Sequence, residues 1–462
     1  MSKTIQGSRN YTGQDNETVL FEGLDEGDND LFTGGFRVII TNETTLTLNW
    51  WKAIIKQIRA YAGGFDGGKN SKRTHKVLSL TQVKRESEFD EEQYYGTVFY
   101  RARQDAKGGA RNNQMTKGQL LAAELKLLND SVKHDVYMLG FCGHTNKPHV
   151  DSATGVAEFN DSDASYDDEN EKVSGTSGQD IRYNMINGFW AELFDNVKDV
   201  TIASKFKVSS TAIVTGSTNN THTLTLTGSN AVTVDINGRT YTETYASDVT
   251  TTCANFVATH GPALAKFALH GMNVTSAAGV ITFASNFKGA KIVLSNAGTG
   301  NALAETVAYN AGVSLTTDQA YGTMIDMVDE APRQVTNLIT RGKAVFLVTE
   351  DMYKNLQKTF RTIGDLESMT KRVIDGVDVT MLEGVVVRIQ NIQQYIEDDF
   401  GGVNKHRAIL TTPDNLVIAA NATAGKSRVW YNEDENTNRT RTQFWMGADF
   451  VSHNLIHVAA EF

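Results

Sequence analysis

The chain holds only two cysteines, Cys142 and Cys253, in 462 residues. Two thiols cannot staple a chain of this length, so its stability has to come from packing, hydrogen bonds or partner subunits. No run of eighteen apolar residues occurs, which excludes a helix that spans a membrane. The opening stretch MSKTIQGSRNYTGQDNETVL has no apolar centre of the kind a secretory signal needs. Reduced thiols and the missing signal together lead to the expectation of a protein made and used in a cytosol.

Intact catalytic motifs are missing as well. There is no Gly-x-Ser-x-Gly elbow and no HExxH helix. Residues 422–427, Ala-Thr-Ala-Gly-Lys-Ser, end like a phosphate-binding loop, but Ala420 stands where the first glycine must let the backbone wrap the phosphates. Cys142, His144 and His149 offer at most half of a zinc site, with no second half in the sequence. Asp161, Asp163 and Ser165 begin like a calcium loop. Tyr166 then replaces the turning glycine and Lys172 the bidentate glutamate, so an EF-hand is excluded. Loose binding of a divalent cation by the acids of 151–171 stays open. The expectation is a protein without enzymatic activity, cofactor or dedicated metal site.

What is present is organised by charge. The net charge is −10, which argues against a general nucleic-acid binder. Residues 13–30 carry seven acids (Asp15, Glu17, Glu22, Asp25, Glu26, Asp28, Asp30) and no Lys or Arg. Residues 52–117 carry fourteen Lys or Arg against seven acids, and 151–171 carry eight acids and no base. Such blocks are often plain solvated surface. The functional alternative is that acidic segments of one copy meet basic segments of another.

The chain is long enough for two or three domains. Residues 1–36 read as an extended acidic arm. Trp51, Ile54, Ile55 and Ile58 have helical spacing, ended by Gly63 and Gly64. Residues 65–115 read as a polar projecting hairpin with strands at 77–83 and 96–103 and a charged connection from Lys84 to Glu92. Leu121, Leu125, Leu128, Val132, Val136 and Leu139 form one apolar stripe, so a helix is expected over 116–139, about 35 Å long. Thr116 with Gln119 matches a capping box at its start, and Gly140 is the expected stop. An acidic loop and a second helix over 178–197 follow. Composition then shifts to Thr, Ser, Ala, Gly and Asn over 208–312, with strands at 221–227, 232–236 and 240–245 around the turn Asn237-Gly238. A helix capped at Ser247-Asp248, a strand at 274–283 and another at 291–294 complete what reads as an inserted α+β domain. Beyond it, a helix over 317–330, a strand at 343–348 and a helix capped by Thr349 return to the earlier style. Short strands at 385–389, 408–410 and 428–431 follow, and 440–460 reads as mostly extended.

This order of parts resembles the major capsid protein fold of tailed bacteriophages and herpesviruses, the Hong Kong phage-type fold, shared with encapsulins. The closest likeness lies in Lys343-Ala-Val-Phe-Leu-Val-Thr-Glu-Asp-Met-Tyr-Lys-Asn-Leu, Gly384-Val-Val-Val-Arg-Ile, His406-Arg-Ala-Ile-Leu-Thr-Thr-Pro-Asp-Asn-Leu and the terminal stretch 440–460. The resemblance implies an α+β chain with an N-terminal arm (1–43), a peripheral segment (44–64), an extended loop (65–115) and a peripheral domain with spine helix and acidic loop (116–200). An inserted domain (201–315), an axial domain (316–440) and a C-terminal strand segment returning to the base domain (441–462) complete it. It implies a structural protein of the virion shell, assembled in the host bacterial cytoplasm into hexamers and pentamers around double-stranded DNA held without sequence specificity. Portal, scaffold and head-auxiliary proteins are the further partners it implies, and no membrane. The candidate inter-subunit contacts are Lys84, Arg85, Arg101 and Arg103 of the loop and Asp25, Glu26 and Asp28 of the arm. Rival readings are another phage structural protein (tail sheath, tube or decoration protein) and an encapsulin-type nanocompartment.

Overall fold

The computed structural model describes residues 9–12, 35–53, 71–89, 132–143, 149–151, 156–158, 166–167, 172–173, 185–198, 207–208, 218–236, 239–265, 272–286, 288–310, 315–363, 369–374, 377–393, 396, 405–432 and 437–460. The N-terminal strands are β1 (Arg9–Thr12), β2 (Arg37–Ile40), β3 (Thr45–Ala53), β4 (Ser71–Ser79) and β5 (Thr81–Phe89). Helix α1 is described over 132–142. Two small ribbons, β6–β7 (His149–Asp151, Val156–Glu158) and β8–β9 (Tyr166–Asp167, Lys172–Val173), precede α2 (Phe189–Lys198) and β10 (Lys207–Val208). Next come β11 (Thr221–Thr225), β12 (Val232–Ile236), β13 (Arg239–Glu243), α3 (Val249–Ala265), β14 (Met272–Ala277), β15 (Val280–Ser285), β16 (Leu294–Ser295) and β17 (Ala302–Val307). The rest comprises α4 (Gln319–Asp329), α5 (Arg333–Thr340), β18 (Val345–Thr349), α6 (Glu350–Ile363), β19 (Met369–Ile374), β20 (Val377–Leu382) and β21 (Val385–Gln390). The chain closes with β22 (Ala408–Thr411), β23 (Leu416–Asn432), β24 (Thr437–Phe450) and β25 (His457–Ala459). The fold is mixed α+β, as the sequence implies.

The chain divides into two compact units, one of 1–140 with 416–451, the other of 141–415 with 452–462. In the first, β23 and β24 form a long antiparallel ribbon. The strand β5 pairs with the free edge of β24, while β1 and β2 share the outer edge of β23. Strands β3 and β4 form a separate pair whose Leu48 and Leu78 are buried with Leu80, Val417 and Ala419. Three expectations need correction here. Trp51 stands in strand β3, where a helix was expected to begin, because β3 pairs with β4 residue for residue as far as Ala53; residues 54–58 lie outside the described residues. The expected strand 77–83 breaks at Leu80, so that β4 and β5 serve different partners. The stretch from Lys84 to Phe89, read as a charged connection, continues β5 along β24.

Helix α1 buries Val132, Val136 and Leu139, as the apolar stripe requires. It does not stop at Gly140 but runs on to Cys142. The glycine serves a close approach instead, since a Cβ at 140 would lie 2.4 Å from Ile418 Cδ1. Residues 116–131 lie outside the described residues.

In the second unit a seven-stranded sheet has the order β10-β25-β22-β18-β21-β20-β19. Its central strand β18 is buried at all five positions. Helices α4 and α6 cover one side through Met324, Met327, Met352 and Leu356, packed with Phe346, Val348 and Leu410. The α6 N-terminus is held by Gln393, whose Oε1 accepts from the Asp351 amide at 2.7 Å. Thr349, read as the cap, uses its hydroxyl to accept from the Arg407 amide at 3.2 Å. Arg407 is itself buried, its guanidinium carbon 5.2 Å from the rings of both Trp190 and Phe194. Where the chain leaves this unit at Asn415 and re-enters at Ser452, the two residues clasp each other. Asn415 Nδ2 donates to Ser452 O at 3.1 Å, and the Ser452 amide donates to Asn415 Oδ1 at 2.8 Å. The expected extended stretch 440–460 is therefore two strands, β24 and β25, separated by a 3-10 turn at His453–Leu455. Helix α2 begins at Phe189, since 185–188 are not helical.

The Thr-rich segment builds two sheets, β14-β15-β11-β17 and β13-β12-β16, closed by α3 over one cluster that includes Leu224, Val234, Phe256 and Phe283. Asp248 caps α3, its Oδ1 accepting from the Thr251 amide at 2.8 Å. The expected strand 274–283 is a hairpin: Ala278 (φ 49°) and Gly279 (φ 81°) both take the left-handed conformation of a type I′ turn. Strand β17 had no signal in the sequence beyond its composition. Buried Asn220 ties the pieces together. Its Nδ2 donates to Glu305 Oε1 (2.7 Å) and Val307 O (2.9 Å), and its Oδ1 accepts from the Ile292 amide (2.9 Å).

Two outcomes follow from these packings. Gly140→Val overpacks against Ile418 and should lower stability by about 1–3 kcal/mol in urea unfolding; an unchanged midpoint would contradict the close approach. Residues 216–312, excised, should give a dispersed amide spectrum because their core cluster is drawn from that segment alone. Collapse of the peaks into the random-coil region would show that the segment depends on its neighbours.

Candidate assembly surface

The β23–β24 ribbon spans seventeen residues in β23, about 55 Å at strand rise. Side chains of a strand alternate between two faces, and the burial along β24 follows that rule. Thr440, Thr442, Phe444 and Met446 are buried, whereas Arg439, Arg441, Gln443 and Trp445 are exposed or half-buried. On β5, Val83 is buried between the exposed Gln82 and Lys84.

The alternation separates two neighbouring candidate residues. Lys84 lies on the outer face, in register with Gln443. Arg85 lies on the inner face, in register with Thr442, and makes an ion pair with Asp135 of α1. The two candidate cations thus stand on opposite faces of the strand, and Arg85 is paired inside its own unit. Arg101, Arg103, Asp25, Glu26 and Asp28 lie outside the described residues.

Further along the outer face is a group that sequence inspection did not single out. Arg428 of β23 stands directly opposite Arg441 of β24, and Trp430 opposite Arg439. The Arg428 guanidinium carbon is 5.0 Å from the centre of the Trp430 ring, and that of Arg441 is 5.7 Å. Such contacts are each worth about 0.5–1 kcal/mol at exposed sites. The signal that points to them is the alternation Arg439-Thr440-Arg441-Thr442, which becomes meaningful once the strand is known to be half-buried.

At the other end of the ribbon, β4 turns into β5 over bare backbone. A Cβ at Gly447 would lie 3.1 Å from Leu78 Cδ1 and 3.2 Å from Leu80 Cδ2. Beside it, Lys76 Nζ is 2.5 Å from Asp449 Oδ1 and 4.5 Å from the Phe450 ring centre. Burial raises the Asp449 pKa above its ordinary 3.8, with Lys76 and the Phe450 amide pulling the other way.

The broken motifs are now placed. Residues 422–427 belong to strand β23, so no strand-to-helix loop exists there to cradle a phosphate. Cys142 is buried at the end of α1. No group of three metal-ligating side chains occurs among the described residues. Nor, among them, is any helix long and apolar enough to cross a membrane.

No family profile matches the chain, and no curated protein does. Solved structures similar to it over most of its length are phage capsids. The procapsid of satellite phage P4, which includes its size-determination protein, aligns with 96% of this chain and 90% of its own at 10% identity, with a TM-score of 0.40. The capsid of the myovirus XM1 aligns with 93% and 90% at 10% identity, with a TM-score of 0.37. A shorter likeness, 32% of this chain and 49% of the other at 9% identity and a TM-score of 0.22, is to the SrpI encapsulin of Synechococcus elongatus.

The Lys76–Asp449 pair yields a prediction with a definite sign. A carboxyl whose folded pKa lies above its unfolded value favours folding in acid, and that contribution is lost as pH rises through the folded value. Lys76→Met removes the charge that opposes the rise. Stability at neutral pH should fall by about 1–3 kcal/mol, with the difference from the native chain shrinking as pH falls through the raised folded pKa of Asp449, above its ordinary 3.8, where the carboxyl takes up its proton. A difference that does not change with pH would show that only packing was lost.

Proposed function

We propose that this chain is the wall subunit of a closed protein shell, a major capsid protein of a tailed bacteriophage. It assembles with itself into hexamers and pentamers around double-stranded DNA. The observation that carries the reading is the order of parts, acidic arm, basic segment, long amphipathic helix, acidic loop and sheet domain, together with a ribbon whose outer face is cationic. A lone monomer has no use for a long charged strip beside its own acid blocks, whereas a lattice of identical copies does.

In this reading the part of the segment 65–115 that follows β5 lies across the neighbouring subunit. Lys84, Arg101 and Arg103 meet carboxylates there, with Asp25, Glu26 and Asp28 among those available. Each exposed pair contributes only about 0–1 kcal/mol, so cohesion comes from repetition around the shell and from buried area. The segment 201–315 acts as an inserted domain of the second unit. Portal, scaffold and head-auxiliary proteins are its expected partners in the head, and the DNA is enclosed without a sequence-specific grip.

Reversing Arg101 and Arg103 to Glu should abolish assembly and leave the subunit folded. The measurements are negative-stain microscopy for particles and circular dichroism for the fold. Normal particles from the double variant would remove these arginines from the contact, and tubes in place of round shells from the native chain would overturn the capsid reading itself.

A further inference from the structure

The sheet β14-β15-β11-β17 ends at β17, and among the described residues no strand pairs with the far side of that strand. An open row of backbone donors and acceptors is a template for another strand, and proteins commonly guard it with Lys or Pro. Residues 302–310 contain no Lys, Arg or Pro. Their one charge, Glu305, is tied to its own sheet: Oε1 accepts from Asn220 Nδ2 at 2.7 Å and from the Tyr309 amide at 3.2 Å. What does interrupt the edge is a bulge at Thr306, where the register against β11 shifts between Thr221 and His222. It leaves Ala302 to Glu305 as a regular open ladder.

Neutral side chains line both faces beside this ladder. On the outer face the cross-strand rows through Thr223 and Thr225 hold only Thr, Ala and Val, and none of these residues is buried. On the inner face Leu303 stands opposite Leu224 and packs against the cluster that contains it. Leu303 itself stays half-buried, because the core stops where the sheet does.

We propose that β17 is a self-pairing edge, joining antiparallel to β17 of a second copy about a two-fold axis at Leu303. A two-fold contact uses the same patch on both copies, so the register follows from what each centre would bring together. Centred on Glu305, it would oppose two carboxylates, which destabilises a sheet. Centred on Ala304, it would carry the ladder into the bulge. Centred on Leu303, it sets Ala302 against Ala304 and Glu305 against Asn301, and no like charges meet. The two Leu303 side chains then meet on the inner face and join the two cores. A charged partner would give up water at this edge with no counter-ion in return, which favours a second copy of the same neutral strand. A ladder this short buries well under the roughly 800 Å² per partner of a stable complex, so the pair is transient between free subunits. The inference needs only the edge itself, whether or not copies close into a shell.

The test traps the pair covalently in the full chain. Ala302→Cys and Ala304→Cys are made separately, both at exposed positions, and the native chain, whose Cys142 and Cys253 are buried, is the blank. Under oxidation by copper phenanthroline, an equal mixture of the two variants should form disulfide dimers about tenfold faster than either alone. Position 302 faces 304 at about 5 Å between Cβ atoms, whereas like positions lie about 7–8 Å apart on the diagonal. The rate should hold in about 0.5 M salt, since no ion pair contributes, and in the Arg101→Glu, Arg103→Glu background. Equal rates for the mixture and the single variants overturn the register and the pairing with it. Faster capture of Ala304→Cys by Ala277→Cys, on the opposite edge strand β14, makes the sheets join head to tail and overturns the two-fold. Loss of the cross-link in the Arg101 and Arg103 background shows that a lattice brings the strands together and overturns the proposal as well. Without any substitution, the amides of 302–305 in the native chain should exchange more slowly when the protein is concentrated tenfold, and exchange that ignores concentration counts against the pair.

Discussion

A seventeen-residue strand carries a backbone donor and acceptor at nearly every position, and each must find a partner once it leaves water. In the first unit that demand falls on β23, and the architecture follows from how it is met. One side of β23 is taken by β24 along almost its whole length, and the other is divided between β1 and β2. The register shift between Asn421 and Lys426 separates the half of the ribbon that serves β2 from the half that serves β1. Segments from the first ninety residues are thereby bound to segments from the last fifty. The unit cannot form until β23 and β24 have been made, and loop-closure entropy must be met before the ladder rewards it.

The second unit solves a related problem. Its chain is interrupted by the excursion from Leu416 to Val451, and the break is sealed by the reciprocal bonds of Asn415 and Ser452. Its sheet is buried around β18, so the polar groups inside it are fixed one by one. Trp190 Nε1 donates to Gln390 Oε1 at 3.1 Å, and His457 Nδ1 meets Met327 O at 2.9 Å. These are costly groups to bury unless paired, and their pairing restricts the sheet to one arrangement.

Charge on the ribbon divides by face. Arg85 and Lys84 are adjacent in sequence, yet one is engaged with Asp135 and the other faces outward. A contact surface therefore has to be read from the alternation of the strand and not from the density of basic residues. Read that way, the density at 84–85 is a single outward cation, while Arg428, Arg439 and Arg441, scattered in sequence, form one strip.

Much of the local structure was legible in advance. The hairpin β12–β13, the cap at Asp248, helices α4 and α6 and strands β18 and β21 each declare themselves by periodicity or by a turn residue, because the forces that shape them act within a few residues. The mixed α+β class and the apolar stripe of α1 follow from the same short-range rules. What only the tertiary structure decided was partnership. Nothing within reach of Lys84 shows that its strand continues to Phe89, because the partner that holds it there lies on β24. Trp51 has helical spacing and stands in a strand because β4 supplies its hydrogen bonds, and Gly140 resembles a stop while serving the approach of Ile418. The outward cationic strip belongs to the same class. Periodicity records which face of a segment is apolar, and the choice of neighbour is set by backbone pairing and packing between residues hundreds of positions apart.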